Sequence, residues 1–336
     1  MKNCIFLKNV RPMFCSISLC FSFFYMPNIS AAIYGEDNRK DVYEVSGFQA
    51  KEVASSVAAL IFKESNFFSL YTPTDQIKVE DNKIKYRMCS SEKFSSQYNL
   101  ARCTAVLVAP DVVLTAYHCV KELVDSSEED KKSAHEKACK KISFLFDYVH
   151  YKSQNALGHH NDFAPIQSEG KIERYEVKTK NLYACEEVLK YSKAHDIVFL
   201  KLNKKVKGRR PLPIRNPTKE GEFIPGKSKV AFLGYSLGLP LKVDENPKFW
   251  FHEENSSLKR AVYQTDTSSG SSGGILWGVE SKRVEGILVA GHSSFPNRQV
   301  IQSLSGPNSC LKIKRCQEGA PTCSGEYFVL SKFLQL

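Results

Sequence analysis

The chain has 336 residues, with hydrophobic side chains at 42% and charged ones at 25%. That length and apolar content exclude a disulfide-only miniprotein and wholesale disorder, and fit a two-lobed enzyme with one active site. The formal charge of +11 is scattered through Lys-rich stretches such as Lys201 to Arg210, a solvated face without any nucleic-acid-binding motif.

In chain order, the first 32 residues stand apart. Lys2, Lys8 and Arg11 form a basic start, Met13 to Met26 is an apolar run of 14 residues, and Pro27 breaks it. Ser30 and Ala32 supply small residues at a cleavage site, so residues 1–32 read as a secretory signal peptide. The run is shorter than the roughly 20 residues a spanning helix needs, so no stable membrane insertion is expected after cleavage. Its removal lowers the charge to +8, because it carries three basic and no acidic residues. Secretion follows as an expectation, extracellular or periplasmic.

Of 11 cysteines, three leave with the signal, and Cys89, Cys103, Cys119, Cys139, Cys185, Cys310, Cys316 and Cys323 remain. An even number on an exported chain reads as disulfides, and no spacing among them matches a metal site. Neither metal nor cofactor is expected.

Residues 33–96 form a mixed segment with no nameable chemistry, an N-terminal extension or pro-segment packed on the body. Within it, Val53 to Phe62 is apolar enough for a strand or short helix. Beyond it, short apolar runs recur at Cys103–Val108, Val112–Ala116, Ile142–Tyr148, Ile197–Leu202, Val230–Leu233, Ala261–Tyr263, Gly274–Trp277 and Val284–Ala290. Turns with Pro, Gly, Asn or Asp separate them, the pattern of an all-β sandwich or barrel. Helix is expected only in Ser127 to Lys141 and in Tyr327 to Leu336. Pro211, Pro213 and Pro217 mark a crossing between two halves, about 97–210 and 225–336.

Three motifs carry chemistry. His118 follows a hairpin whose ends, Cys103 and Cys119, a disulfide can close, and an imidazole held there can take a proton near neutral pH. Asp196 opens the apolar run Ile197 to Leu202, where its carboxylate can orient that imidazole. Ser272 lies among Gly270, Gly273 and Gly274, which permit a sharp turn exposing its hydroxyl. The amides of Gly270 and Ser272 can then converge as an oxyanion hole.

The order His, Asp, Ser, with "LTAYHC", "HDIVFLKL" and "GSSGGI", resembles the trypsin-like (chymotrypsin-fold) serine proteases over roughly Cys103 to the C-terminus. "IYGEDNRKDV" at the start of the mature chain and "LGLPLK" at 237–242 resemble exported bacterial members related to V8-like endopeptidases. The resemblance implies two antiparallel six-stranded β-barrels, a peptidase domain over 97–336, and serine endopeptidase activity on a protein or peptide substrate. His118, Asp196 and Ser272 would be its triad. It also places Asp266, six residues before Ser272, at the base of the specificity pocket, with Gly291 on the facing wall. A carboxylate there favours Lys or Arg; if it turns away to hold the loop, Thr267 lines the pocket instead. Two departures stand out: Ser271 replaces the acid that binds a new N-terminus, and Ser268 stands where a disulfide cysteine usually flanks the nucleophile loop.

Disulfides are expected between Cys103 and Cys119 and between Cys139 and Cys185, each of the latter beside a strand of the first barrel. The other four cysteines allow three pairings. The competing function is a catalytically silent secreted homologue that binds protein, which the intact triad residues argue against. Oligomeric state is open.

Overall fold

The computed structural model describes residues 33–47, 49–62, 67–68, 78–80, 83–85, 89–124, 139–150, 163–168, 171–177, 180–253, 260–291, 313, 315–316 and 325–335. The signal peptide, most of Ser127 to Lys141, Cys310 and Cys323 lie outside them.

The early strands are β1 (Ile33–Tyr34), β2 (Lys40–Asp41), β3 (Val57–Phe62), β4 (Phe67–Phe68), β5 (Lys78–Glu80) and β6 (Lys83–Lys85). Then come β7 (Cys103–Ala109), β8 (Val112–Ala116), β9 (Ile142–Phe146), β10 (Phe163–Ser168), β11 (Lys171–Val177), β12 (Leu182–Ser192) and β13 (Ile197–Leu202). The second half holds β14 (Val230–Gly234), β15 (Lys242–Asp244), β16 (Lys248–His252), β17 (Ala261–Gln264), β18 (Ile275–Gly278), β19 (Arg283–Gly291), β20 (Arg315–Cys316) and β21 (Glu326–Leu330).

The first half closes into a six-stranded antiparallel barrel in the order β12-β13-β8-β7-β3-β9. Its strands are rich in β-branched and aromatic residues, and β8 and β9 are buried along their whole length. One strand, β3, comes from the segment expected to be an extension. Val57 to Ile61 are fully buried, and β3 pairs with both β7 and β9, so the barrel does not close without it.

The second half is an eight-stranded antiparallel sheet curled into a half-barrel, β16-β17-β21-β19-β18-β14-β15-β2, rather than a second six-stranded barrel. Two strands lengthen it: β16, alternating exposed and half-buried at one edge, and β2, donated by the N-terminal segment at the other. The stretch Tyr327 to Leu336, expected as helix, begins in β21, which is central in this sheet and followed by a 3-10 turn at Ser331–Phe333. Its branched and aromatic residues pair with β17 and β19, and burial there overrides any helical tendency.

A buried ion pair fastens the N-terminal segment. The Lys242 ammonium donates to Asp41 Oδ1 at 2.6 Å, to Gln97 Oε1 at 2.7 Å and to the Pro240 carbonyl at 2.8 Å. Gln97 Nε2 reaches Asp41 Oδ2 at 2.8 Å, so both charges are fully hydrogen-bonded. Burial lowers the Lys242 pKa to about 8, with the Asp41 charge opposing the shift. The crossing at Pro211 and Pro213 touches both halves: Leu212 N–H bonds the Leu107 carbonyl, and the Pro213 carbonyl accepts from Val284 N–H.

Cys103 and Cys119 are joined, as are Cys139 and Cys185. Cys89 and Cys316 each also take part in a disulfide.

Candidate active site

His118 and Asp196 both belong to the first barrel. His118 follows β8 as the first residue of helix α1 (His118–Val124), and Asp196 directly precedes β13, the strand paired with β8. That pairing sets the contact: the Asp196 carbonyl accepts from Tyr117 N–H at 2.9 Å, and its carboxylate accepts from His118 N–H at 2.7 Å. The other carboxylate oxygen lies 2.6 Å from His118 Nδ1. With Nδ1 held as the donor, Nε2 is left as the proton acceptor. Asp196 adopts φ of 54°, a left-handed backbone that Asp tolerates better than most residues and that aims its carboxylate back at the imidazole.

Tyr117, just before His118, is buried and stacks on Tyr191 with ring centroids 5.2 Å apart. Beside the histidine, a ring nitrogen of His118 and the sulfurs of Cys103 and Cys119 lie within 4.8 Å of one another. The sulfurs are spent in their disulfide, so this trio does not offer the thiolates a metal site requires.

Ser272 lies between β17 and β18 of the half-barrel, and the first barrel grips its backbone. Thr104 N–H donates to the Ser272 carbonyl at 2.7 Å, and Cys119 Sγ sits 4.0 Å from the same oxygen. The Ser272 turn and His118 therefore share the Cys119 sulfur as a neighbour. No hydrogen bond reaches His118 Nε2, which is buried and without a partner among the described residues.

The turn before Ser272 is held from several sides. Ser271 N–H bonds the Ser268 carbonyl at 2.9 Å, Ser271 Oγ accepts from Ser268 N–H at 3.2 Å, and Thr104 Oγ1 donates to the Gly270 carbonyl at 3.0 Å. Among the described residues, the amides of Gly270 and Ser272 donate no hydrogen bond. Glycine is required at 273: φ is 81°, and a Cβ would lie 2.0 Å from the Thr104 carbonyl oxygen. Thr104 is the residue the motifs did not reveal, because its contacts cross between the two halves.

Asp266 is buried, with one oxygen taking Tyr34 N–H at 2.7 Å and the other Asn38 N–H at 2.6 Å. Both oxygens thus accept from backbone amides of the N-terminal segment. Thr267 is fully buried, and Gly291, half-exposed on β19, pairs with Glu326 of β21.

Burial raises the Asp266 pKa to about 7, opposed by the two amides and assisted by Asp244 and Asp37. Glu326 is raised to about 8, again chiefly by burial, with Thr267 and Tyr34 opposing and Asp266 adding to the shift. These carboxyls hold protons in the folded state that the unfolded chain releases, so they lower stability as pH rises from about 3.8 to about 8. Glu326→Gln is expected to flatten that slope and raise stability at pH 9 by at least ~1 kcal/mol. Urea unfolding at pH 5, 7 and 9 measures this, and an unchanged slope counts against it.

A model of the trypsin-like peptidase domain family matches residues 103–287, which include His118, Asp196 and Ser272. Among curated proteins, no significant match to the chain is found. The matched stretch covers more than half of the sequence, and the chain belongs to the trypsin-like peptidase domain family.

Proposed function

We propose that the chain is an exported serine endopeptidase whose triad is His118, Asp196 and Ser272. The observation that carries the reading is the doubly hydrogen-bonded His118–Asp196 pair, together with a glycine-framed Ser272 turn whose carbonyl meets Thr104 and Cys119 of the first barrel. His118 Nε2 takes the Ser272 Oγ proton as Oγ attacks the substrate carbonyl carbon. The Gly270 and Ser272 amides receive the oxyanion as the carbonyl oxygen gains charge. Collapse expels the amine, protonated by His118, and leaves an acyl-enzyme. Water, deprotonated by the same imidazole, then attacks the ester and frees Ser272.

Export rests on the signal-like residues 1–32 and on the disulfides. Among the described residues, no helix is long and apolar enough to cross a membrane. The kinship with V8-like endopeptidases rests on "IYGEDNRKDV" and "LGLPLK". In this reading Asp266 holds the N-terminal segment, and Thr267 and Gly291 line the pocket for the side chain before the scissile bond. The segment 33–62 stays on the mature enzyme, because it supplies β2 and β3. Incubating the protein of residues 33–336 with a diverse peptide library tests the reading: new termini cluster after particular residues, whereas a protein-binding homologue leaves the library intact.

A further inference from the structure

Two features that fix the nucleophile loop in trypsin-like peptidases are missing: Ser271 offers no charge to a new N-terminus, and Ser268 replaces a disulfide cysteine. A hydrogen-bonded chain occupies that place. The Arg39 guanidinium, 1% exposed, donates through Nε to Asp37 Oδ1 at 2.9 Å and through Nη2 to Asp37 Oδ2 at 2.6 Å. Its Nη1 donates to Ser236 Oγ at 3.0 Å. Ser236 Oγ lies 2.7 Å from Ser268 Oγ, and Ser268 Oγ lies 3.4 Å from the Ser269 carbonyl. Ser268 uses its one O–H to donate to the Ser269 carbonyl, so Ser236, which accepts from Arg39, donates its O–H to Ser268 Oγ.

The relay ends one residue before Gly270. Leu237 N–H reaches the same Ser269 carbonyl at 2.7 Å, and Tyr34 and Asn38 hold Asp266, two residues before Ser268. The N-terminal segment thus grips the nucleophile loop at two points, by backbone amides on Asp266 and by Arg39 on Ser268 through Ser236. Asp37 keeps the buried guanidinium neutralised. Burial works to raise the Asp37 pKa, but the Arg39 hydrogen bonds and charge outweigh it and hold it below the ordinary value. The Phe94 ring, 5.6 Å from the guanidinium carbon, completes the seat.

We propose that Arg39 is a positioning residue for the oxyanion hole, acting through Ser236 and Ser268 on the turn that carries the Gly270 and Ser272 amides. The inference rests on the endopeptidase reading. A hydrogen-bonded relay anchored by a fixed charge does here what a covalent staple does elsewhere, and a displacement of about 1 Å in such donors costs up to ~10²-fold in rate.

The test compares Arg39→Met, Arg39→Lys, Ser236→Ala, Ser268→Ala and the Ser236→Ala/Ser268→Ala double variant, all in the 33–336 protein. The readouts are the second-order rate of labelling by a fluorophosphonate probe, and kcat and KM on a peptide taken from the cleaved library. Rates are normalised to titrated active sites. The expected result is a 10- to 100-fold fall in labelling rate and kcat for Arg39→Met, with KM within about threefold. Each serine variant falls less, Arg39→Lys is intermediate, and the double serine variant is no worse than the poorer single one, as members of one relay behave. Normalised rates within threefold of wild type in Arg39→Met, or losses that multiply in the double variant, overturn the proposal. So does a loss that disappears on normalisation, since Arg39 would then only stabilise the fold. A wild type that neither labels nor cleaves overturns the endopeptidase reading and the relay with it.

Discussion

Ser272→Ala is expected to lower turnover of a cleaved peptide by at least ~10⁴-fold while leaving the fold intact. The exchange removes one oxygen from a turn held by other groups: Thr104 grips the Ser272 carbonyl, and Ser271 N–H bonds the Ser268 carbonyl. Residual catalysis of roughly 10³-fold over water persists, because the Gly270 and Ser272 amides remain. Ser271→Ala removes the acceptor of Ser268 N–H, a bond of 3.2 Å, and is expected to cost about 1 kcal/mol of stability and far less activity. Initial rates for the two variants separate these roles, and equal losses would mean that the nucleophile is misassigned.

The second large effect is expected of Asp196→Asn, a fall in kcat of about 10³- to 10⁴-fold with KM little changed. Asp196 accepts twice, from His118 N–H and from Nδ1. An amide keeps one acceptor and presents an NH₂ where the other oxygen was. If the oxygen stays with the backbone N–H, the NH₂ faces Nδ1 and forces the ring to carry its proton on Nε2, where it cannot act as base. If the side chain flips, the NH₂ opposes the His118 backbone N–H instead. Either arrangement loses the imidazolium's counter-charge. Single-turnover kinetics on titrated sites measures the loss; a fall of less than tenfold would show that Asp196 does not orient the catalytic base.

The motifs were legible because each packs chemistry and conformation into consecutive residues. His118 beside Cys119, Asp196 before a buried strand and Ser272 among glycines each state a local geometry, and β-branched runs mark β7, β8 and β13. The contributions of residues 33–62 were not legible as such. Val57 to Phe62 reads as any apolar run until its partners β7 and β9, far along the chain, are known. A two-residue strand such as β2 has no periodicity to find. Tyr34 and Asn38 meet Asp266 through backbone amides, which leave no mark in the side-chain sequence. The same holds for Thr104, whose value lies in bonds to Gly270 and Tyr235, 166 and 131 positions away. Glu326 to Leu330 misled for another reason: its identity as a strand is set by central burial between β17 and β19 rather than by its own pattern.

The most direct measurement is the site of covalent modification by a fluorophosphonate probe. The protein of residues 33–336 is treated with the probe, digested and mapped by tandem mass spectrometry. The account predicts one adduct, on Ser272, formed at a rate that falls sharply in Asp196→Asn and is absent in Ser272→Ala. An adduct on Ser271 or elsewhere, or no adduct on a protein with its disulfides formed, contradicts it.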